Sequence, residues 1–272
     1  MSLLATRDLT IRFGGHVAVN AVTCAFEPGT LTAIVGPNGA GKTTYFNLIS
    51  GQLKASAGQV TLDGRDLSGF SASQRTRAGL GRAFQLTNLF PRLSVLENIR
   101  LAVQASRDGA HRHGLNLWSI WSDHKGLMER ADEILVAVNM HHKQAELVAN
   151  LPHGDQRKLE VALLMALESK VFMFDEPTAG MNAAEAPVIL NLIRKLKEDR
   201  TKTILLVEHK MDVVRELADR IIVLHNGSLV ADGEPAEVIA SPIVQEAYLG
   251  IAPEAAASPS APSTARAGSE LA

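Results

Sequence analysis

Short strands dominate the first eighty residues in the pattern of apolar and polar positions. Leu9, Ile11 and Phe13 alternate with polar residues, and a second strand-like run from Val17 to Phe26 closes at Glu27-Pro28-Gly29. Alternation of this kind leaves one face to bury, which predicts an antiparallel layer at the N-terminal end. Leu31 to Val35 is a short, mostly apolar run and predicts a strand, followed by a helix from Lys42 to about Ser50. Gln59 to Leu62 returns to strand ahead of the turn Asp63-Gly64. Ser71 to Gln74 has the S-x-x-Q form of a capping box and predicts a short helix ending near Gly79 to Gly81, with a strand running to Phe84-Gln85.

Helical periodicity then replaces the strand pattern. Ser94 to Glu97 is a second capping box, and Leu127, Ala131, Ile134, Leu135 and Val138 lie on one helical face. Between the two predicted helices, Asp108 to Asp123 reads as a polar loop carrying Trp118 and Trp121, which pack the insertion or contact a partner or membrane surface. From Leu151 the chain alternates helix and strand. A helix from His153 to about Glu168 precedes the buried strand Val171 to Phe174, ended by Asp175-Glu176-Pro177. A helix capped by Asn182 with Glu185 buries Ile189, Leu192, Ile193 and Leu196, and Thr203 to Val207 is a further buried strand ending at Glu208-His209. Ile221 to Leu224 and Leu229 to Asp232 form a hairpin about Asn226-Gly227. Beyond Ala252 the Ala/Ser/Pro composition predicts disorder.

The division that follows is residues 1–85 as a β subdomain and the first part of an α/β core, 86–157 as a helical insertion, 158–251 as the rest of the core, and 252–272 as a tail. With 46% hydrophobic residues in 272, the chain has ample apolar material for a core. A formal net charge of −2 supplies no basic field and points away from nucleic acid as a partner. The single cysteine, Cys24, forms no internal disulfide and reads as a small buried hydrophobe, and the N-terminus lacks a signal-peptide core. Both point to the cytoplasm. Apolar stretches such as Val161 to Leu167 fall well short of the ~20 residues of a membrane span, so any membrane role is peripheral.

The chemistry concentrates after the Leu31–Val35 strand. Gly36, Pro37, Asn38, Gly39, Ala40, Gly41, Lys42, Thr43 and Thr44 fill G-x-x-x-x-G-K-[ST] and its flank, the phosphate-binding loop of a P-loop NTPase. Its glycines let backbone N–H groups converge on phosphate oxygens, Lys42 reaches the β/γ-phosphates and the Thr43 hydroxyl ligates Mg²⁺. Asp175 and Glu176, at the carboxyl end of a buried strand, arrive beside that loop. Asp175 then holds Mg²⁺, directly or through water, and Glu176 orients or deprotonates the attacking water. His111, His113, His141 and His142 lack metal-site spacing and read as solvated loop residues.

The order Phe13, phosphate loop, Gln85, helical insertion, L-P-H-G-D-Q-R at Leu151 to Arg157, V-F-M-F-D-E at Val171 to Glu176, then His209 resembles the nucleotide-binding subunit of an ABC transporter over residues 3–250. Taken singly, Phe13 reads as a core aromatic, Gln85 as a strand-end polar residue and His209 as a helix cap. The resemblance implies that Phe13 stacks on adenine, that Gln85 joins the Mg²⁺ site to a membrane subunit, and that His209 contacts the γ-phosphate. It also implies that Gly154 and Asp155 in the signature segment close over ATP held by an opposite subunit, and that Ala179 to Asn182 crosses to that subunit's site. The implied fold is a RecA-like ABC core with an antiparallel β subdomain and an inserted α-helical subdomain. The implied cofactors are ATP and Mg²⁺. The implied partners are a second ATP-binding subunit, identical or paralogous, two membrane permease subunits and, indirectly, a periplasmic solute-binding protein, with the chain peripheral at the cytoplasmic face of the inner membrane.

Arg12-Phe13-Gly14-Gly15, Phe84-Gln85 with Asn88-Leu89-Phe90, His153 to Arg157, Ala179 to Asn182 and Ala247 to Gly250 resemble the branched-chain amino-acid importers of the LivG type; urea and short-amide importers share much of this pattern. A soluble ABC ATPase acting on DNA or ribosomes is the rival of a different class, and it commonly carries two nucleotide domains or a long coiled coil, whereas this chain has one phosphate loop and no sustained heptads. A non-hydrolysing regulator conflicts with an intact Glu176. In the signature segment the chain departs from the common L-S-G-G-Q form: Pro152 replaces the serine, His153 a glycine and Asp155 the glutamine. Without the hydroxyl, the backbone after Gly154 is left to meet the phosphate, and Asp155 is expected to turn back and cap its own helix.

Overall fold

The computed structural model describes residues 3–83, 89–110, 124–181, 183, 185–242 and 244–245, the side chains of 107–110 and 124–125 apart. The expectations for Phe84 to Asn88, Gln85 included, for Trp118 and Trp121, for Asn182 and for residues 246–272 lie outside them.

Strands β1 (Leu4–Phe13), β2 (His16–Phe26), β4 (Ala57–Leu62) and β5 (Arg65–Asp66) form the antiparallel layer, in the order β2-β1-β4-β5. A second sheet has the order β10-β9-β3-β8-β7-β6, with β3 (Leu31–Val35) between β8 (Thr203–Val207) and β9 (Arg220–His225). Beyond β8 lie β7 (Val171–Asp175) and β6 (Leu80–Ala83), and only β10 (Ser228–Gly233) is antiparallel to its neighbour. Its apolar runs are buried on both faces. Phe172 and Phe174 face a cluster with the helices, while Val171 and Met173 join the cluster shared with the small sheet. Helix α1 (Lys42–Ser50) lies between the sheets, with Tyr45, Phe46, Leu48 and Ile49 packed against Leu4, Leu9 and Val19. That packing holds the start of α1 at the end of β3.

Helix α2 (Ala72–Arg77) begins with the expected capping box, and Ser94 and Glu97 exchange the same two bonds at 2.7 and 3.2 Å before α3 (Val95–Ala110). Helix α3 continues to Ala110, past the predicted loop start at Asp108. Helices α4 (His124–Ala137) and α5 (His153–Ala166) bury the predicted stripe Leu127, Ala131, Ile134, Leu135 and Val138. Helix α6 (Ala186–Glu198) starts after Glu185, three residues later than a cap at Asn182 would set it. Pro187 explains the shift: in the first turn its missing N–H is harmless, whereas in a helix begun at Asn182 it would break an internal bond. Helices α7 (Met211–Leu217) and α8 (Pro235–Ala240) complete the order, and Asn226 and Gly227 both take left-handed backbone in the β9–β10 turn. No helix of the described residues is long and apolar enough to cross a membrane.

Candidate functional site

Three adjacent parallel strands end together. Val207 of β8 pairs with Ile34 of β3 on one side and Asp175 of β7 on the other, so the loop after β3, Asp175-Glu176 and Glu208-His209 emerge at one edge. In the loop, Gly36 and Gly41 have φ of +150° and +96°. A Cβ on Gly36 would stand 2.1 Å from the Leu224 carbonyl oxygen, and one on Gly41 would stand 2.5 Å from that of Ala18. Glycine is required at both on two counts. The β9–β10 turn braces the loop from below, Gly227 N–H donating to Ala40 O at 3.0 Å.

Lys42 is buried and folded onto its own loop, donating to the carbonyls of Gly36 (2.7 Å) and Pro37 (2.9 Å). Burial lowers its pKa, and the negative fields of Glu176 and Asp175 oppose that, which places all three side chains in one electrostatic neighbourhood. Thr43 is exposed at the first turn of α1, and Thr44, Asn38 and Gly39 line the loop's rim. Asp175 has 6% side-chain exposure and is paired with Arg82 at 3.0 Å; burial raises its pKa, and the guanidinium and Lys42 restrain the rise. Glu176 takes left-handed backbone (φ +49°), donates its N–H to Val207 O at 2.9 Å and leaves its carboxylate partly exposed, 3.6 Å from Nδ1 of His209. Phe13 is 51% exposed at the β1–β2 turn, two residues along the pairing from Ala18 under the loop; it is no core aromatic.

The signature segment has other neighbours. Pro152 is the N-cap of α5, and no side chain caps that helix. The amides of Asp155 and Gln156 both donate to Pro152 O at 3.0 Å, and helix geometry leaves those of His153 and Gly154 without an internal acceptor. A Cβ on Gly154 would stand 2.7 Å from Oε1 of Glu185. Asp155 does not cap, contrary to expectation. Its two oxygens accept from Lys143 and Lys158 at 2.7 Å each; burial would raise its pKa, and these ammonium groups hold it below the ordinary carboxylate range. Two ion pairs outcompete a cap that offers one amide.

Sequence reading missed Arg82 and Glu208. Both are charged residues within or at the end of apolar strands, a position that demands a partner. Glu208, 1% exposed, accepts the amides of His209 and Lys210 at 3.1 Å each and so sets the backbone that presents His209.

Among the described residues no three His, Cys, Asp or Glu side chains cluster as a metal cage. The Thr43 hydroxyl and Asp175 carboxylate are instead the sparse, hard-oxygen set that suits Mg²⁺ arriving with nucleotide phosphates. A glycine-built phosphate cradle, a buried lysine and a strand-end Asp-Glu pair on a mainly parallel sheet define a P-loop NTPase. Residues 19–179 match the family model described as "ABC transporter", and residues 228–252 match "Branched-chain amino acid ATP-binding cassette transporter". The chain is 38% identical to the high-affinity branched-chain amino acid transport ATP-binding protein LivG of Salmonella typhimurium and 36% identical to BraF of Pseudomonas aeruginosa. The LivG match covers 91% of this chain and 98% of the relative. A solved ABC-transporter ATP-binding cassette in its ADP conformation superimposes with a TM-score of 0.76 at 28% identity, covering 92% of this chain and all of that one. The chain belongs to the ABC transporter family, as a nucleotide-binding ATPase cassette.

Proposed function

We propose that the chain energises an importer of branched-chain amino acids from the cytoplasmic face of the membrane, working as one of two ATP-binding subunits under two permease subunits fed by a solute-binding protein. The relatives' transport names and the match at residues 228–252 support the substrate class. One observation carries the ATPase mechanism: a phosphate loop, Asp175, Glu176 and His209 at one sheet edge. In this reading the loop amides and Lys42 hold the phosphates, Phe13 stacks on the base, and Thr43, Asp175 and Gln85 hold Mg²⁺, which when bound neutralises phosphate charge. Glu176 positions and deprotonates water, and His209 meets the γ-phosphate. Gly154 and the first-turn amides of α5, with Asp155 anchored beside them, face the partner's nucleotide. The division at 85, 157 and 251 then separates core from helical insertion.

Between these parts runs a cleft of about 920 Å³ walled by α2, β6, α3 and α5, with Thr76, Arg82, Ala105, Glu160 and Leu164 on its surface. We assign it to the permease. Glu176→Gln keeps the shape and removes the base, so in the assembled transporter turnover should fall by at least about a hundredfold with nucleotide affinity retained; near wild-type turnover refutes the assignment. Uptake of labelled leucine against labelled urea separates the two importer classes.

A further inference from the structure

Arg82 touches the metal-site carboxylate and the cleft at once. Its Nη2 donates to Asp175 Oδ2 at 3.0 Å. Its Nη1 donates to Asn47 Oδ1 (2.5 Å) and Ser50 Oγ (2.8 Å) on α1, and its carbon lies 4.9 Å from the Phe46 ring centroid. The same side chain, 8% exposed, forms part of the cleft wall. A guanidinium bonded to one oxygen of a carboxylate opposes a divalent cation on the other, and low local dielectric magnifies the opposition.

We propose that Arg82 is a positioning residue that restrains cation binding at Asp175 until an acceptor group in the cleft draws the guanidinium away. This inference rests on the docking reading above. A permease segment offering carboxylate or carbonyl oxygens is the chemistry that would engage Arg82. Docking is thereby reported to the metal site along one side chain, with α1 of the phosphate loop held in the same set of bonds.

The test is Mn²⁺ titrated into the ADP-saturated subunit at pH 8, followed by loss of the free-ion EPR signal. An arginine neighbour lowers a carboxylate's proton affinity by 1–3 units, so Arg82→Gln should tighten Mn²⁺ by about tenfold, while Arg82→Lys, which keeps the charge, stays near wild type. Arg82→Met, which retains packing over Phe46, repeats the measurement should Arg82→Gln fold poorly; metal-free ADP binding and the thermal midpoint report folding for each. A merely structural role predicts weaker Mn²⁺ in the neutral variants, and that result, or an unchanged affinity, overturns the proposal. In the assembled transporter the wild-type and Arg82→Gln affinities should converge. If the complex forms and the gap persists, the restraint is not released by docking and the inference fails; if no complex forms with wild type, it is the docking reading that fails.

Discussion

Helices α1 and α5 both begin without a side-chain cap, whereas α2 and α3 each satisfy their own first turn with a serine-based capping box. An uncapped start leaves donors for an anion from elsewhere. The two starts are built differently. At α1 the neighbours that exclude a side chain are backbone carbonyls, those of Leu224 and Ala18, which move only if strands move. At α5 the neighbour of Gly154 is the end of one side chain, Glu185, and Pro152 and His153 are exposed. The chain's own phosphate site is therefore rigid against substitution, while the segment assigned to the partner's nucleotide tolerates change. That difference explains how the signature can depart from its common form when the phosphate loop cannot.

The sharpest way to break the contrast is alanine at each glycine. Gly36→Ala forces a Cβ to 2.1 Å from a carbonyl at a left-handed backbone position, so nucleotide affinity should drop at least about a hundredfold, with stability lowered by a few kcal/mol. Gly154→Ala should leave nucleotide affinity unchanged and lower turnover of the assembled transporter by only about threefold to tenfold, because the atoms its Cβ would meet belong to the Glu185 side chain and not to backbone, an adjustment worth about 1 kcal/mol. Isothermal titration and ATPase assays of both variants decide it. Equal losses of affinity would mean the two starts are alike after all.

What the sequence disclosed and what it hid divide along the same line. Periodicity and spacing are local, so the strands of both sheets other than the two-residue β5, the capping boxes at Ser71 and Ser94, the phosphate loop and the Asp175-Glu176 strand end could be read directly. Arg82 to Asp175 spans 93 residues and Arg82 to Asn47 spans 35, and no pattern in a single chain declares such pairs beyond the oddity of arginine within a buried strand. The ion pairs of Asp155 are not legible in helix-end chemistry alone, because Lys143 reaches it from the preceding 3-10 turn at His141–Lys143. The start of α6 was legible after all, in Pro187.

Asp155 offers a smaller test on the α5 side. Its carboxylate, 14% exposed, holds two ammonium groups, so Asp155→Asn should cost about 1–2 kcal/mol at pH 7. Its folded pKa is depressed, so this stabilisation is present above the unfolded carboxylate pKa of ~3.9 and is lost as pH falls through the lower folded value. Denaturation midpoints of the two proteins should accordingly approach each other below pH ~4. A gap that stays constant with pH would mean the residue acts by packing alone.

The smallest expected effect is at Pro152. Its backbone, φ −56° and ψ 153°, nearly matches that of Ser71, φ −68° and ψ 163°, where a serine caps α2. Pro152→Ser therefore fits without moving the chain, and its hydroxyl is placed to accept an amide of the first turn of α5. That bond should raise stability by about 1 kcal/mol. Turned inward, the hydroxyl competes with an incoming phosphate for the same amides; turned outward, it donates to that phosphate. The two tendencies oppose, so turnover of the assembled transporter should stay within about threefold of wild type, a difference of under ~1 kcal/mol. A tenfold loss of turnover together with a higher thermal midpoint would show that α5 must remain uncapped to work, which would make the open start of this helix a requirement like that at α1.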